Sequence, residues 1–113
     1  MRKNTYISEM TEYIMPKDTN ALGILFGGKL FSIMDICACI AVKKYTGRSA
    51  VTAGVENLLF LAPAYSGDIL HVKAKILKTG NKSIKLSVKA ERENTEKREF
   101  SLISKGIFTF VVI

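Results

Sequence analysis

The chain has 113 residues, of which 48% are hydrophobic and 24% charged, so we expect residues 1–113 to form one ordinary globular domain. Seventeen Lys and Arg residues oppose ten Asp and Glu residues; the net charge of +7 favours a polyanionic partner, a nucleic acid or a phosphorylated cofactor, unless it only supports solubility. No cysteine motif for zinc is present, and no apolar run reaches the roughly 20 residues of a membrane span, so neither a metal nor a membrane is expected.

The N-terminal part of the chain predicts one strand and then a loop. Residues 4–15 carry β-forming side chains, and Pro16 ends this strand because proline cannot donate to a ladder. Residues 17–26 follow as a loop in which Asn20 is one of several turn residues.

A helix is predicted from Gly27 to about Tyr45. Its residues are apolar on nearly every side, so we expect it to be buried on every side. Two lysines suit its last turn, where the helix dipole favours cations, and Gly47 ends it.

The two cysteines lie in this helix. Cys37 and Cys39 are two positions apart, so they point to different faces and cannot bridge each other. We expect reduced thiols in a cytoplasmic protein. The first ten residues agree with this location, since no apolar run that would mark a secretory signal follows their charges.

Four strands are predicted after the helix. An apolar stretch covers residues 50–60, while residues 69–79 and 82–93 alternate between apolar and polar side chains, with a tight Gly-Asn turn between them that favours a hairpin. The last strand is predicted over residues 99–113. The order β-α-β-β-β-β indicates an α+β fold, in which an antiparallel sheet covers one central helix.

A carboxylate on the predicted helix is the first candidate for chemistry. Asp35 lies among apolar residues, where a carboxylate is poorly solvated, as suits a general base or nucleophile. The spacing by itself slightly favours the alternative, a polar stripe of Lys29, Ser32 and Asp35 that faces solvent.

Two further features precede Asp35. Gly27 and Gly28 start the helix, where free N–H groups and the positive end of the dipole stabilise an oxyanion, unless the glycines only permit tight packing. Asn20 offers an amide that donates to a carbonyl or positions a water, unless it is an ordinary turn asparagine. For each feature taken alone, the ordinary interpretation is favoured.

Residues 15–28, Met-Pro-Lys-Asp-Thr-Asn-Ala-Leu-Gly-Ile-Leu-Phe-Gly-Gly, followed by Met34-Asp35, closely resemble the acyl-CoA hydrolase family of hotdog thioesterases. The resemblance continues to the terminal Phe-Thr-Phe-Val at 108–111 and covers nearly the whole chain. It implies a hotdog fold, with a sheet wrapped around one long helix, and a thioesterase that hydrolyses acyl-CoA without a cofactor. A non-catalytic acyl-CoA-binding module of the same fold is the alternative.

The resemblance also implies roles for the candidate residues. Asp35 would be the general base or nucleophile, and Asn20 would orient the carbonyl or a water from the facing subunit. Backbone N–H groups near Gly27 and Gly28 would polarise the thioester carbonyl. Thr52 matches a position close to the family's site, where its hydroxyl would hold a water or Asp35.

The turn Gly80-Asn81-Lys82-Ser83 matches the segment with which the family approaches the CoA phosphates. Asn81 stands where relatives often have arginine, although the neighbouring Lys82 still supplies a point charge. Leu59 stands where relatives often have a polar residue, which we expect to change the polarity of the pocket. The chain also ends on its last strand, without the tail that relatives usually carry.

The resemblance implies a homo-oligomer, a dimer or a trimer of dimers. Residues 107–113 are apolar on both faces, which favours a buried and intersubunit position for the last strand. Nucleic-acid binding through the strand face with His71, Lys73 and Lys75 is not favoured, because no aromatic residues interleave with the lysines there. His71 is expected to be an ordinary surface residue.

Overall fold

The computed structural model describes residues 6–113. Its elements follow in the order β1 (Tyr6–Tyr13), a short 3₁₀ turn (Pro16–Asp18), α1 (Gly27–Thr46), β2 (Ala50–Phe60), β3 (Ile69–Thr79), β4 (Ser83–Asn94) and β5 (Glu99–Val112). The predicted order β-α-β-β-β-β is confirmed, and the ends of the elements differ from the predicted ones by two residues at most. Residues 4 and 5 of the predicted first strand lie outside the described residues.

All five strands form one antiparallel sheet, in the order β1-β3-β4-β5-β2. β1 and β2 are therefore its two edges. The predicted hairpin joins β3 to β4, and the N–H of Gly80 donates to the carbonyl oxygen of Ser83 at 2.7 Å. The register of β2 shifts twice, and Asn57 has a φ of 52° at the second shift. Such bulges bend a strand and increase its twist.

The helix packs against the inner face of this sheet, which is the hotdog arrangement. Side chains that face the helix alternate along the central strands with side chains that face outward, as the period of two predicted. The inner side chains include Val72, Ala74, Ile76, Ile84, Leu86, Val88, Phe108 and Phe110. Phe31 of α1 stacks on Phe108, with 5.6 Å between ring centroids. Burying one large apolar side chain of this kind contributes about 1.5–3 kcal/mol.

Gly47 ends α1, as predicted. It has a φ of 71°, a left-handed conformation that glycine adopts without strain, and its N–H donates to the carbonyl oxygen of Lys43 at 2.8 Å. Lys43 and Lys44 lie in the last turn. Phe26 precedes the helix in an extended conformation, and no side chain caps the helix start.

The prediction that α1 would be buried on every side is wrong for the single chain. One side of the helix is exposed, with Ile36 at 48% and Ile40 at 37% exposure, and Ser32 and Cys39 lie on the same side. The sheet covers only part of the helix, and most residues of the neighbouring edge strand β2 are also exposed. An apolar helix side next to an unpaired strand edge is a surface that another chain can cover.

The cysteines point to different faces, as predicted. Cys37 is buried against the sheet, where burial raises the pKa of its thiol, whereas Cys39 is exposed, and both are free thiols.

The buried position predicted for the last strand holds for one face only. β5 lies between β4 and β2, so Phe110 faces the helix while Val111 and the terminal Ile113 remain exposed.

Within residues 6–113, no helix is both long enough and apolar enough to cross a membrane. In the same part of the chain, His, Cys, Asp and Glu side chains form no group of three that would hold a metal ion.

Candidate active site

Asp35 and Thr52 are in direct contact. Asp35 lies in the middle of α1, half-buried, and Thr52 lies on the edge strand β2 beside it. The hydroxyl Oγ1 of Thr52 donates a hydrogen bond to Oδ1 of Asp35 at 2.7 Å. A short hydrogen bond to one oxygen restricts the rotation of a carboxylate. No described residue donates to Oδ2, so that oxygen remains free to take a proton or to attack a carbonyl.

The polar stripe considered for the helix is not a connected group. Lys29 lies 3.9 Å from Asp18 in the preceding turn, so its charge pairs away from Asp35. Ser32 is exposed, while Asp35 is half-buried and bonded to β2. The carboxylate is therefore held by the sheet and not only by solvent.

Asn20 has a fixed orientation. Its side-chain oxygen Oδ1 accepts hydrogen bonds from the N–H groups of Leu22 at 2.9 Å and Ile24 at 3.1 Å. The exposed side-chain NH₂ is thereby directed away from the turn, as a donor for something outside it. Asn20 can therefore stabilise the turn and donate a hydrogen bond outside it at the same time, because the contacts of its oxygen within the turn orient its NH₂ group.

The packing of the chain does not explain the two glycines at the helix start. A methyl group added to Gly28 would meet nothing within 4 Å, and one added to Gly27 would lie 3.7 Å from the ring of Phe60, an ordinary contact. Both glycines are helical, so no left-handed conformation demands them either. The bare N–H groups at this helix start are accessible to an anion or a carbonyl from outside the chain.

One chain does not bring all of these groups together. Seven residues separate Gly28 from Asp35, which at 1.5 Å per residue is about 10 Å along the helix axis. Groups that act on one carbonyl must lie about 3 Å from it. The helix start and Asp35 of the same chain therefore cannot serve the same carbonyl.

The turn from Gly80 to Ser83 lies at the same end of the sheet as Thr52. Thr52 pairs with Phe110, and Phe110 pairs with Ile84, so the turn is two strand spacings, about 10 Å, from Thr52. Asn81 and Lys82 are exposed there. A methyl group on Gly80 would lie 2.6 Å from Oγ of Ser83, so a larger residue here would require the Ser83 side chain to rotate.

Leu59 does not change the polarity of the inner face. It pairs with Lys105 on the outer face of the sheet, where both residues line a separate cavity of about 400 Å³. The second bulge of β2 turns the Leu59 side chain outward, so the expected change in pocket polarity would fall on this outer cavity and stays a prediction.

The lysine-rich outer face of the sheet is partly neutralised by acidic residues. Lys73 lies within 4 Å of both Glu9 and Glu91. His71 also lies on this outer face, where its Nε2 is 2.7 Å from Oε1 of Glu93. These pairs lower the positive potential that a nucleic acid would require.

An apolar cavity of about 430 Å³ adjoins the helix start. Gly27 and Phe60 line it, together with residues from the loop before α1 and from β5, and no polar side chain contributes to its wall. It does not extend to Asp35 or Thr52. Sequence reasoning missed it, because its wall comes from four separate segments whose individual patterns carry no such signal.

Comparisons of sequence and of structure both match this chain to thioesterases. The model of the thioesterase superfamily matches residues 22–99. A Zymomonas mobilis protein named an uncharacterized acyl-CoA thioester hydrolase is 34% identical over 99 residues, which are 88% of this chain and 66% of the relative.

Two solved structures have the same fold. The acyl-CoA hydrolase from Staphylococcus aureus, solved with butyryl-CoA, CoA and CoA disulfide, has a TM-score of 0.88 and 30% identity, and the match covers 93% of this chain and 64% of that one. The hexameric thioesterase from Yersinia pestis has a TM-score of 0.87 and 33% identity, over 92% of this chain and 84% of that one. The chain thus spans just under two thirds of the Zymomonas and Staphylococcus proteins.

The Staphylococcus aureus enzyme has also been solved as three alanine variants, in which an asparagine, an aspartate or a threonine was replaced. In that enzyme the asparagine lies fifteen residues before the aspartate, and the threonine lies seventeen residues after it.

Proposed function

The chain belongs to the thioesterase superfamily, and we propose that it hydrolyses acyl-CoA to a free fatty acid and CoA, as a homo-oligomer and without a metal or cofactor. A cytoplasmic location remains a prediction from the sequence.

The hydrogen bond from Thr52 to Asp35 carries the proposal. It joins two elements at the side of α1 that the single chain leaves exposed, and it leaves Oδ2 of Asp35 available for chemistry. Asn20, Asp35 and Thr52 also have the same order and the same separations, fifteen and seventeen residues, as the three residues replaced in the Staphylococcus aureus enzyme. This agreement supports their assignment to the site.

Asp35 would act as general base or as nucleophile. As a base, its Oδ2 takes a proton from water while the water oxygen bonds to the carbonyl carbon of the thioester. The N–H groups at Gly27 and Gly28 stabilise the oxyanion that forms, and the NH₂ of Asn20 donates to the carbonyl or to the water. The C–S bond then breaks, and the CoA thiolate leaves and takes up the proton that Asp35 accepted from water, which returns Asp35 to its carboxylate form. Thr52 keeps the carboxylate in position.

The site would be shared by two chains. A two-fold axis perpendicular to α1 would make the partner helix antiparallel, so that the helix start of one chain would face Asp35 of the other. The exposed side of α1 and the unpaired edge of β2 are the surface that such a dimer would bury. We propose a dimer or a trimer of dimers, in line with the hexameric Yersinia pestis relative. A monodisperse monomer at micromolar concentration in light scattering would contradict this.

The CoA phosphates would lie at the turn between β3 and β4. Asn81 and Lys82 are exposed at its tip, and Ser83 adds a hydroxyl. The net charge of +7 favours an anionic substrate over a neutral one.

A thiol-release assay with a panel of acyl-CoA substrates tests the activity. We expect hydrolysis by the unchanged protein and a loss of about 10²–10⁴-fold in Asp35→Asn, which removes the base and preserves size. Glu96→Gln, in the exposed turn between β4 and β5, is the matched control and should keep full activity. Saturable acyl-CoA binding without thiol release would instead favour the non-catalytic binding module.

A further inference from the structure

The apolar cavity beside the helix start has a closed floor and an exposed rim. Four side chains from different segments, all buried, form the floor: Leu25, Leu30, Ala64 and Ile103. Phe60 stands at the rim with 56% of its surface exposed, and its ring lies in van der Waals range of a methyl group built on Gly27. The cavity thus opens at the backbone that would polarise the thioester carbonyl.

The chemistry of the wall selects one part of an acyl-CoA molecule. The nucleotide carries phosphates and the pantetheine arm carries two amides, and burying these groups without hydrogen-bond partners is costly. No polar side chain lines the cavity, so it offers them no side-chain partner. The acyl chain needs none, and its first carbons are covalently attached to the carbonyl at the mouth.

We propose that this cavity holds the acyl chain of the substrate, and that Phe60 determines which chain lengths are accepted. The inference rests on the proposed thioesterase activity and adds the part of the substrate that the cavity takes. A volume of about 430 Å³ corresponds to roughly fourteen groups of the size of a water molecule, about 30 Å³ each, so the cavity suits a medium-length chain.

Each methylene group that enters the cavity should raise kcat/KM about fourfold, because the free energy gained on burying a methylene group corresponds to about that factor in rate. The increase should stop when the chain fills the cavity. A series of straight-chain acyl-CoA substrates from acetyl to palmitoyl measures this dependence directly.

Substitution of Phe60 tests the assignment. Phe60→Ala enlarges the cavity and should shift the optimum to longer chains, changing the ratio of kcat/KM for a long and a short chain by at least the fourfold of one methylene. Phe60→Trp should shift the optimum in the opposite direction. Phe100→Ala is the matched control, since Phe100 is 58% exposed on the outer face of the sheet and should leave the profile unchanged.

A second measurement keeps the test independent of turnover and of folding defects. Kd values for non-hydrolysable acyl-CoA thioethers should show the same chain-length dependence and the same shifts, and Phe60→Leu replaces Phe60→Ala if the alanine variant fails to fold. Active Phe60 variants with the wild-type chain-length profile, or alanine and tryptophan shifts in the same direction, would overturn the inference alone. An unchanged protein that releases no thiol from any acyl-CoA would overturn it together with the proposed function.

Discussion

Mixing two inactive variants tests whether the site is shared between chains. Asp35→Asn removes the base. For the loop residue, Asn20→Asp is better than alanine, because one carboxylate oxygen can still accept from Leu22 and Ile24, while the NH₂ donor is replaced by an anionic oxygen that cannot donate. Loss of one oxyanion donor costs about 10²–10³-fold, so each parent should be nearly inactive.

The helix geometry gives the expected recovery. Since about 10 Å separates the helix start from Asp35 in one chain, we expect each site to take Asn20 and the helix start from one chain and Asp35 from the other. A mixed dimer then has one site with both lesions and one intact site. Random pairing makes about half of the dimers mixed, so about a quarter of wild-type activity should return.

The assay is thiol release from an acyl-CoA after the two variants are unfolded together and refolded in equal amounts. Two different affinity tags verify that mixed dimers form, and Asp35→Asn refolded with itself is the control. If verified mixed dimers remain as inactive as the parents, then both groups come from one chain or act elsewhere. A site shared between two chains would then be refuted.

Three other substitutions separate the roles of the remaining groups. Gly28→Ala adds a methyl group where the chain has open space and improves helix propensity by up to about 1 kcal/mol, so Tm should stay equal or rise while kcat/KM falls. Full activity in this variant would show that no substrate approaches Gly28. Lys82→Ala should raise KM with less effect on kcat, because it removes binding common to ground and transition states, and Lys97→Ala in an exposed turn is its control. An unchanged KM with collapsed turnover would contradict a phosphate contact. Thr52→Val preserves shape but removes the 2.7 Å hydrogen bond to Asp35, which at about 1–1.5 kcal/mol should lower kcat about five- to thirteenfold with little change in KM. Circular dichroism checks that the fold is intact, and an unchanged kcat would argue against positioning by Thr52.

The sequence by itself determined the elements and the fold class. The alternation along β3 and β4 is a local property of consecutive residues, and a buried inner face follows from it directly. Gly47 marks the helix end for a similarly local reason, its left-handed φ of 71°. The candidates Asn20 and Asp35 came from their combination with the glycine pair in one string, since each residue alone favoured an ordinary interpretation.

Only the tertiary structure decided which of these groups touch and which faces are covered. Thr52 meets Asp35 across two elements, and this contact depends on how β2 bends beside α1, which no local pattern records. The apolar pattern of α1 predicted burial on all sides, but the extent of burial depends on how far the sheet curls, and one side stays open. The second bulge of β2 turns Leu59 outward, and the neighbouring Phe60 points inward to the helix start. A shift of register exchanges the two faces of a strand, so packing between elements decides where each side chain of β2 points.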